Sequence, residues 1–302
     1  MRLSNLSVLS LALLPLSQAS ALHRPRTGRQ IGCNAEPSTE ELAAIQALAD
    51  ADSNGTFVSD SLSTRATISV KVYFHALVNT SVSGTYPSDA LFQSQLKVMN
   101  TAYAASGVQF VLAGSDRIKD NTLATGDGIF PNWNAGASIQ NYLKQYRSAK
   151  YADLNLFFYS NPPADTLGQC TFPLATVPAS TSLDFAKDGC HLFTGTMPGQ
   201  EMTNYNLGMS AVHETGHWLS LLHPFTGYSC ATSNQGDMIA DTPQESTESY
   251  GCDTGKDSCP TITGVDPIHN YMDYSDDSCY TSFTAGQATR MANAWTSYRS
   301  GK

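Results

Sequence analysis

Hydrophobic residues recur with three different spacings along this chain of 302 residues. Near the N-terminus an apolar stretch, Leu6 to Leu16, follows Arg2 and precedes the small residues Ala19, Ser20 and Ala21. That order reads as a secretory signal peptide over residues 1–21. The stretch is too short to span a bilayer, and no later run reaches about 20 apolar residues, so the predicted product is soluble and exported. Residues 22–60 are polar and read as a pro-segment whose end the sequence does not mark. They carry one short helix, Thr39 to Ala51, capped by Ser38.

From Ala66 the spacing changes to two. Ile68, Val70, Val72, Phe74, Ala76 and Val78 alternate with mostly polar partners and predict a strand. Helical spacing then takes over: Leu91, Leu96, Met99 and Tyr103 lie between a cap at Ser88 or Asp89 and Ser106. A strand at Val108–Ala113, a helix at Ser138–Arg147 and a strand at Leu154–Tyr159 follow. Strand and helix alternating in this way predict an α/β (α+β) domain with a mixed sheet. The domain is expected over residues 61–302, its upper part 61–219 and a loop-rich, cross-linked lower part 220–302 that ends in a helix from Thr284 to Tyr298. A cleft between the two parts is the expected active site.

Charge narrows the function. The formal net charge is −9, and removing residues 1–30, with four arginines and no acid, makes it −13. So acidic a protein is a poor partner for nucleic acid or anionic membranes. Asn54-Gly55-Thr56 and Asn79-Thr80-Ser81 are candidate glycan acceptors, which makes a glycoprotein the expectation. Seven cysteines are an odd number for an oxidising compartment. Six lie in the predicted domain, at 170, 190, 230, 252, 259 and 279, in a pairing that spacing alone does not decide. Cys33 is left over.

The chemistry concentrates in His213-Glu214-Thr215-Gly216-His217, with His223 six residues on. On a helix His213 and His217 share a face one turn apart, so both rings reach one metal ion. A continuing helix would turn His223 away, so the helix must end near Ser220 and the chain must bend. Three neutral imidazoles and an open fourth position make a catalytic zinc site. Leu207, Met209 and Val212 before the motif and Trp218, Leu219, Leu221 and Leu222 after it predict a largely buried helix, in which polar groups without a metal would be costly. Glu214 is placed to take a proton from a zinc-activated water, the chemistry of a zinc metalloendopeptidase. Two other readings stay open: a thermolysin-like site with Glu245 or Glu248 as third ligand, and a secreted zinc-binding protein that does not cut.

His213-Glu214-x-x-His217-x-x-Ser220-x-x-His223 resembles the metzincin zinc motif, and His269-Asn270-Tyr271-Met272-Asp273-Tyr274-Ser275 resembles its Met-turn. Trp218 to Phe225, Asp241-Thr242-Pro243 and Gly168-Gln169-Cys170-Thr171-Phe172-Pro173 narrow the resemblance to the pappalysins. It is greatest to a secreted fungal branch related to cytophagalysin and ulilysin.

The resemblance implies a metzincin-type zincin fold, protein or peptide substrates, one zinc ion and a calcium ion near Asp237, Asp241, Asp253 and Asp257. It also implies disulfides Cys230–Cys259 and Cys252–Cys279, which leaves Cys170–Cys190. Met272 would form an apolar floor beneath the imidazoles, and Tyr274 would meet the developing oxyanion. Cys33 would hold a zymogen latent as a zinc-binding switch. His269, His75 and His191 are expected to be structural, and a monomer is the default. One departure stands out: Ser220 occupies the position where the motif has glycine, at the turn that releases the helix. A serine in a left-handed turn costs on the order of 1 kcal/mol, so the site is expected intact.

Overall fold

The computed structural model describes residues 32–33, 36–53, 67–84, 86–163, 166–234 and 236–302. The expected signal peptide and the sequon at Asn54 lie outside them. A six-stranded sheet runs in the order β1-β5-β6-β4-β2-β3, from β1 (Gly32–Cys33), β2 (Ile68–Val78), β3 (Val108–Lys119), β4 (Leu154–Tyr159), β5 (Thr166–Cys170) and β6 (Cys190–Phe193). β5 is antiparallel to β6, and the other pairings are parallel. β2 and β4 sit inside the sheet and are covered on both faces. Val70, Val72, Phe74, Leu154, Leu156 and Phe158 join one apolar core, and Leu77, Phe157 and Tyr159 face another.

The core face receives α2 (Asp89–Tyr103), whose first turn is capped by Ser88, and the buried α5 (Met209–Trp218). The opposite face is covered by α3 (Ala137–Tyr146) and α4 (Leu183–Lys187), from which Ile139, Tyr142, Leu143 and Ala186 join the second core. α6 (Ala285–Ala294) opens with a reciprocal capping box between Thr284 and Gln287 and continues as one π-turn to Arg299. α1 (Thr39–Ser53) packs on α6: Ala44 and Leu48 join Ala294 and Tyr298, while Asp52 meets Arg290 at 2.7 Å.

The predicted elements therefore appear, with two corrections. β3 extends to Lys119, six residues past the expected end. β5 and β6 were not predicted: both are short, and every residue of β5 is buried, so no alternation marks it. Among the described residues, those of 219–284 form no strand or helix. They are tied by Cys230–Cys259 and Cys252–Cys279, while Cys170–Cys190 clips β5 to β6.

Candidate metal centre

α5 ends where its carbonyls can be closed off. Leu221 N donates to Gly216 O at 2.9 Å and Ser220 N to His217 O at 2.9 Å, a Schellman arrangement with Ser220 left-handed at φ 71°. The turn reverses the chain and returns His223 to the ring face of α5. His213, His217 and His223 then meet with all three Nε2–Nε2 distances at 3.1 Å. Two of the rings have their other nitrogen on a backbone carbonyl: His213 Nδ1 donates to Tyr271 O at 2.8 Å, and His217 Nδ1 to Leu221 O at 2.7 Å. Their Nε2 atoms are therefore unprotonated acceptors.

Burial pushes His213 down to about 4 and holds His217 and His223 well below the usual imidazole value. Three converging lone pairs in a buried pocket repel one another unless a cation lies between them. Zinc, which takes imidazole nitrogens at about 2.0–2.1 Å, fits this donor set.

Two glycines permit the close packing around the rings. A Cβ at Gly216 would lie 2.4 Å from Met272 Sδ, so glycine lets the Met272 side chain sit against the zinc helix. A Cβ at Gly168 would come within 2.9 Å of Glu214 Cγ, so this position of β5 lets Glu214 lie against the sheet edge. Glu214 is buried, and its Oε2 has no hydrogen-bond partner among the described residues. Burial pushes its carboxyl up to about 8, against a hydrogen bond from Cys33 that lowers it. A cation on the histidines would lower it further.

Cys33 makes no disulfide and is buried, and its thiol shares one cluster with the three histidines. Its carbonyl accepts from Tyr274 Oη at 2.6 Å. Glu214 and Tyr274 also line a cavity with Leu167, Tyr205, Ser210 and Asp277. Asp277 Oδ2 accepts from the amides of Leu207 and Met209, and burial raises its carboxyl to about 6. Sequence reasoning missed Leu167, Tyr205, Ser210 and Asp277, which come from β5, α5 and two loops and carry no local signal.

The fungal extracellular metalloprotease of Pyricularia oryzae is 41% identical over 94% of this chain and 95% of its own length. The chain belongs to the pappalysin family. The family model described as pregnancy-associated plasma protein-A matches residues 166–296. Extracellular metalloprotease 1 of Coccidioides posadasii is 39% identical over 98% of both chains. Among solved structures, mature mirolysin of Tannerella forsythia in complex with a cleaved peptide is 26% identical. It covers 75% of this chain and 91% of its own, at a TM-score of 0.59. The pappalysin fold is that of the metzincins, and this member is a secreted zinc metalloendopeptidase.

The other singled-out residues lie away from the three histidines. Glu245 bonds Ser249 and Lys256, and Glu248 bonds Tyr250, so neither joins the histidine cluster. His269 bonds Cys279 O at 2.7 Å and supports its turn. His75 bonds Asp116 and Asn155, and His191 bonds Tyr159 and Lys187 O. The four aspartates expected near calcium separate. Asp241 accepts from Thr284 and Gly286 at the start of α6, and Asp253 and Asp257 bond their own turns. Asp237 is buried beside Thr242, whose hydroxyl lowers its carboxyl against the larger raising effect of burial.

Proposed function

We propose that this pappalysin is a latent endopeptidase in which His213, His217 and His223 hold one zinc ion and Glu214 moves the proton of hydrolysis. The observation that carries this reading is the triangle of Nε2 atoms, two of them unprotonated because their rings donate through Nδ1, with a buried carboxyl beside it. When bound, zinc polarises the scissile carbonyl and lowers the pKa of a neighbouring water toward about 7. Glu214 takes the proton of the attacking water and passes it to the departing amine. Its burial keeps its proton affinity high enough to carry the proton between the two steps. The Tyr274 phenol donates to the oxygen that gains charge. Met272 serves as an apolar floor and not as a ligand. The cavity beside Glu214 receives a substrate side chain, and the Asp277 carboxylate in its wall makes a cationic one the complementary occupant.

Latency follows from the same geometry. A thiolate is a strong zinc ligand, and Cys33 sits within the histidine cluster. Cys33 also hydrogen-bonds Glu214 and occupies the Tyr274 hydroxyl through its carbonyl. One residue thus engages every group that turnover needs. β1 pairs along β5, the sheet edge that an extended substrate would use. In this reading residues 1–21 are the signal, 22–60 the pro-segment and 61–302 the catalytic domain. A calcium ion held through Asp237 and Thr242 supports the lower part.

The test is peptide cleavage by the secreted, processed protein beside its Glu214→Ala variant, on a mixed peptide pool read by mass spectrometry. Cleavage that falls by roughly 10²–10⁴ in the variant and disappears with a zinc chelator is expected. A processed, zinc-loaded protein that cuts nothing would return the assignment to a binding protein. Cys33→Ser, expressed as the full chain, is expected to cleave peptides before any processing. A variant that stays silent until processed would remove the switch but leave the peptidase standing.

A further inference from the structure

The lower part contains a lysine held as a metal ion would be. Lys256 Nζ lies 2.7 Å from Glu245 Oε1, 2.6 Å from Asp266 Oδ2, 2.5 Å from Thr247 O and 3.1 Å from Ser249 Oγ. Both carboxylate side chains are fully buried, and the lysine side chain is 22% exposed. Two carboxylates, a carbonyl and a hydroxyl are the oxygen set that hard divalent cations take. Glu245 Oε2 is buried in this cage with no hydrogen-bond partner among the described residues, as is Asp273 Oδ2 beside it. The cage is thus rich in carboxyl oxygen and closed by a single ammonium.

The cage is connected to the Met-turn. Ser249 Oγ bonds Glu245 Oε1 at 2.7 Å, and Ser249 N donates to Asp273 Oδ1 at 3.1 Å. The same Asp273 oxygen accepts Tyr274 N at 2.8 Å. Asp273 stands between Met272 and Tyr274, so the cage reaches the backbone that presents both side chains to the imidazoles.

We propose that Lys256 is a positioning residue: its ammonium is the built-in cation of this cage and holds the turn that carries Met272 and Tyr274 in register with the histidines. Without the ammonium, adjacent buried carboxylates repel, Ser249 loses a partner and the turn loosens. Because the donor set suits a divalent cation, a truncated Lys256 leaves a vacancy that calcium fills. This rests on the reading that Tyr274 acts in turnover.

The test uses the processed enzyme with zinc bound and calcium titrated. Lys256→Ala is expected to lose at least tenfold in kcat, with KM and zinc content near wild type. Millimolar calcium should restore most of the loss and raise the melting temperature of the variant more than that of wild type. Adding Asp266→Asn to Lys256→Ala should abolish the rescue. Undiminished kcat in Lys256→Ala, or a deficit indifferent to calcium, overturns the proposal. If Lys256→Ala does not accumulate, Lys256→Arg decides: the retained charge should preserve kcat, and an inactive but folded Lys256→Arg overturns it. Tyr274→Phe is measured alongside. Full activity there removes the Tyr274 role alone and leaves the calcium response of Lys256→Ala to be judged separately.

Discussion

Asp188 in the upper part and Asp237 in the lower part are both buried carboxylates, and the protein treats them in opposite ways. Asp188 accepts from Arg147 at 2.8 Å, from Arg299 at 2.8 and 2.9 Å, and from Thr171 at 3.0 Å. Burial alone would raise its carboxyl, but Arg299 and Arg147 outweigh that and lower it. Asp237 has one amide on Oδ1, from Ile239 at 3.0 Å, and burial pushes it up to about 7. Asp188 is closed by Arg147 of the upper part and by Arg299 from the C-terminal end of the lower part, beside a sheet with two apolar cores. The lower part relies on disulfides, on a lysine in a carboxylate cage and, in our proposal, on calcium. The buried carboxylate of the scaffold is fully paired by side chains, while that of the region completing the site is not.

The strongest way to break this contrast is to remove one of the two cations that pair Asp188. Arg299 lies over Trp218 at 3.9 Å, immediately after His217, and over Tyr151 at 4.3 Å. Arg299→Met should cost about 3–5 kcal/mol of unfolding free energy in urea, because Asp188 is left half-paired in the interior. A loss under about 1 kcal/mol would show that the pair is not what holds this end of the sheet. Replacing Cys230 and Cys259 by serine should cost about 2–4 kcal/mol. Hydrogen exchange should place that loss in residues 224–280, while amides of β2 and β4 stay protected. Uniform loss of protection would mean that the two parts unfold as one.

Acid and base should act on them in opposite senses. The stability given by Asp188, whose carboxyl is lowered, is present above the usual carboxylate value and is lost as pH falls below it. Asp237 is raised to about 7, so the folded state holds its proton through a range where the unfolded chain does not. Stability from that group falls as pH rises from about 4 to about 7. Between pH 5 and 7, Asp237→Asn should flatten the calcium-free pH profile by about 2 kcal/mol. Calcium should stabilise the wild type most at the alkaline end, and a calcium effect indifferent to both pH and Asp237→Asn would place the ion elsewhere. The smallest effect is at the hinge between the parts. Ser220→Gly should stabilise by about 1 kcal/mol in thermal melts, since glycine accepts the left-handed conformation without a Cβ. Destabilisation would mean that the buried Ser220 hydroxyl contributes more than its backbone costs.

Much of the fold was legible because periodicity is local. β2 and β4 appear with the predicted limits, and α2 and α3 fall within a few residues of theirs. Ser38, Ser88 and Thr284 stand at helix starts because a side-chain oxygen there accepts a free backbone N–H. β5 was invisible for the same reason that it matters. Its residues are buried on both faces, and Gly168, weak as a strand former, is there for the approach of Glu214.

The sequence by itself determined the chemistry. Two histidines one helical turn apart, a carboxylate between them and a third histidine beyond a forced bend specify zinc-assisted hydrolysis, because ligand spacing on one helix is a matter of local geometry. Only the tertiary structure decided how that chemistry is enclosed. It placed Cys33 among histidines about 180 residues away in sequence, Asp277 in the cavity wall, Arg299 against Asp188, and Lys256 between Glu245 and Asp266. Each of these is a long-range pairing, chosen by which buried charges and close-packed side chains can be satisfied together once the chain has folded. No window of neighbouring residues contains that information.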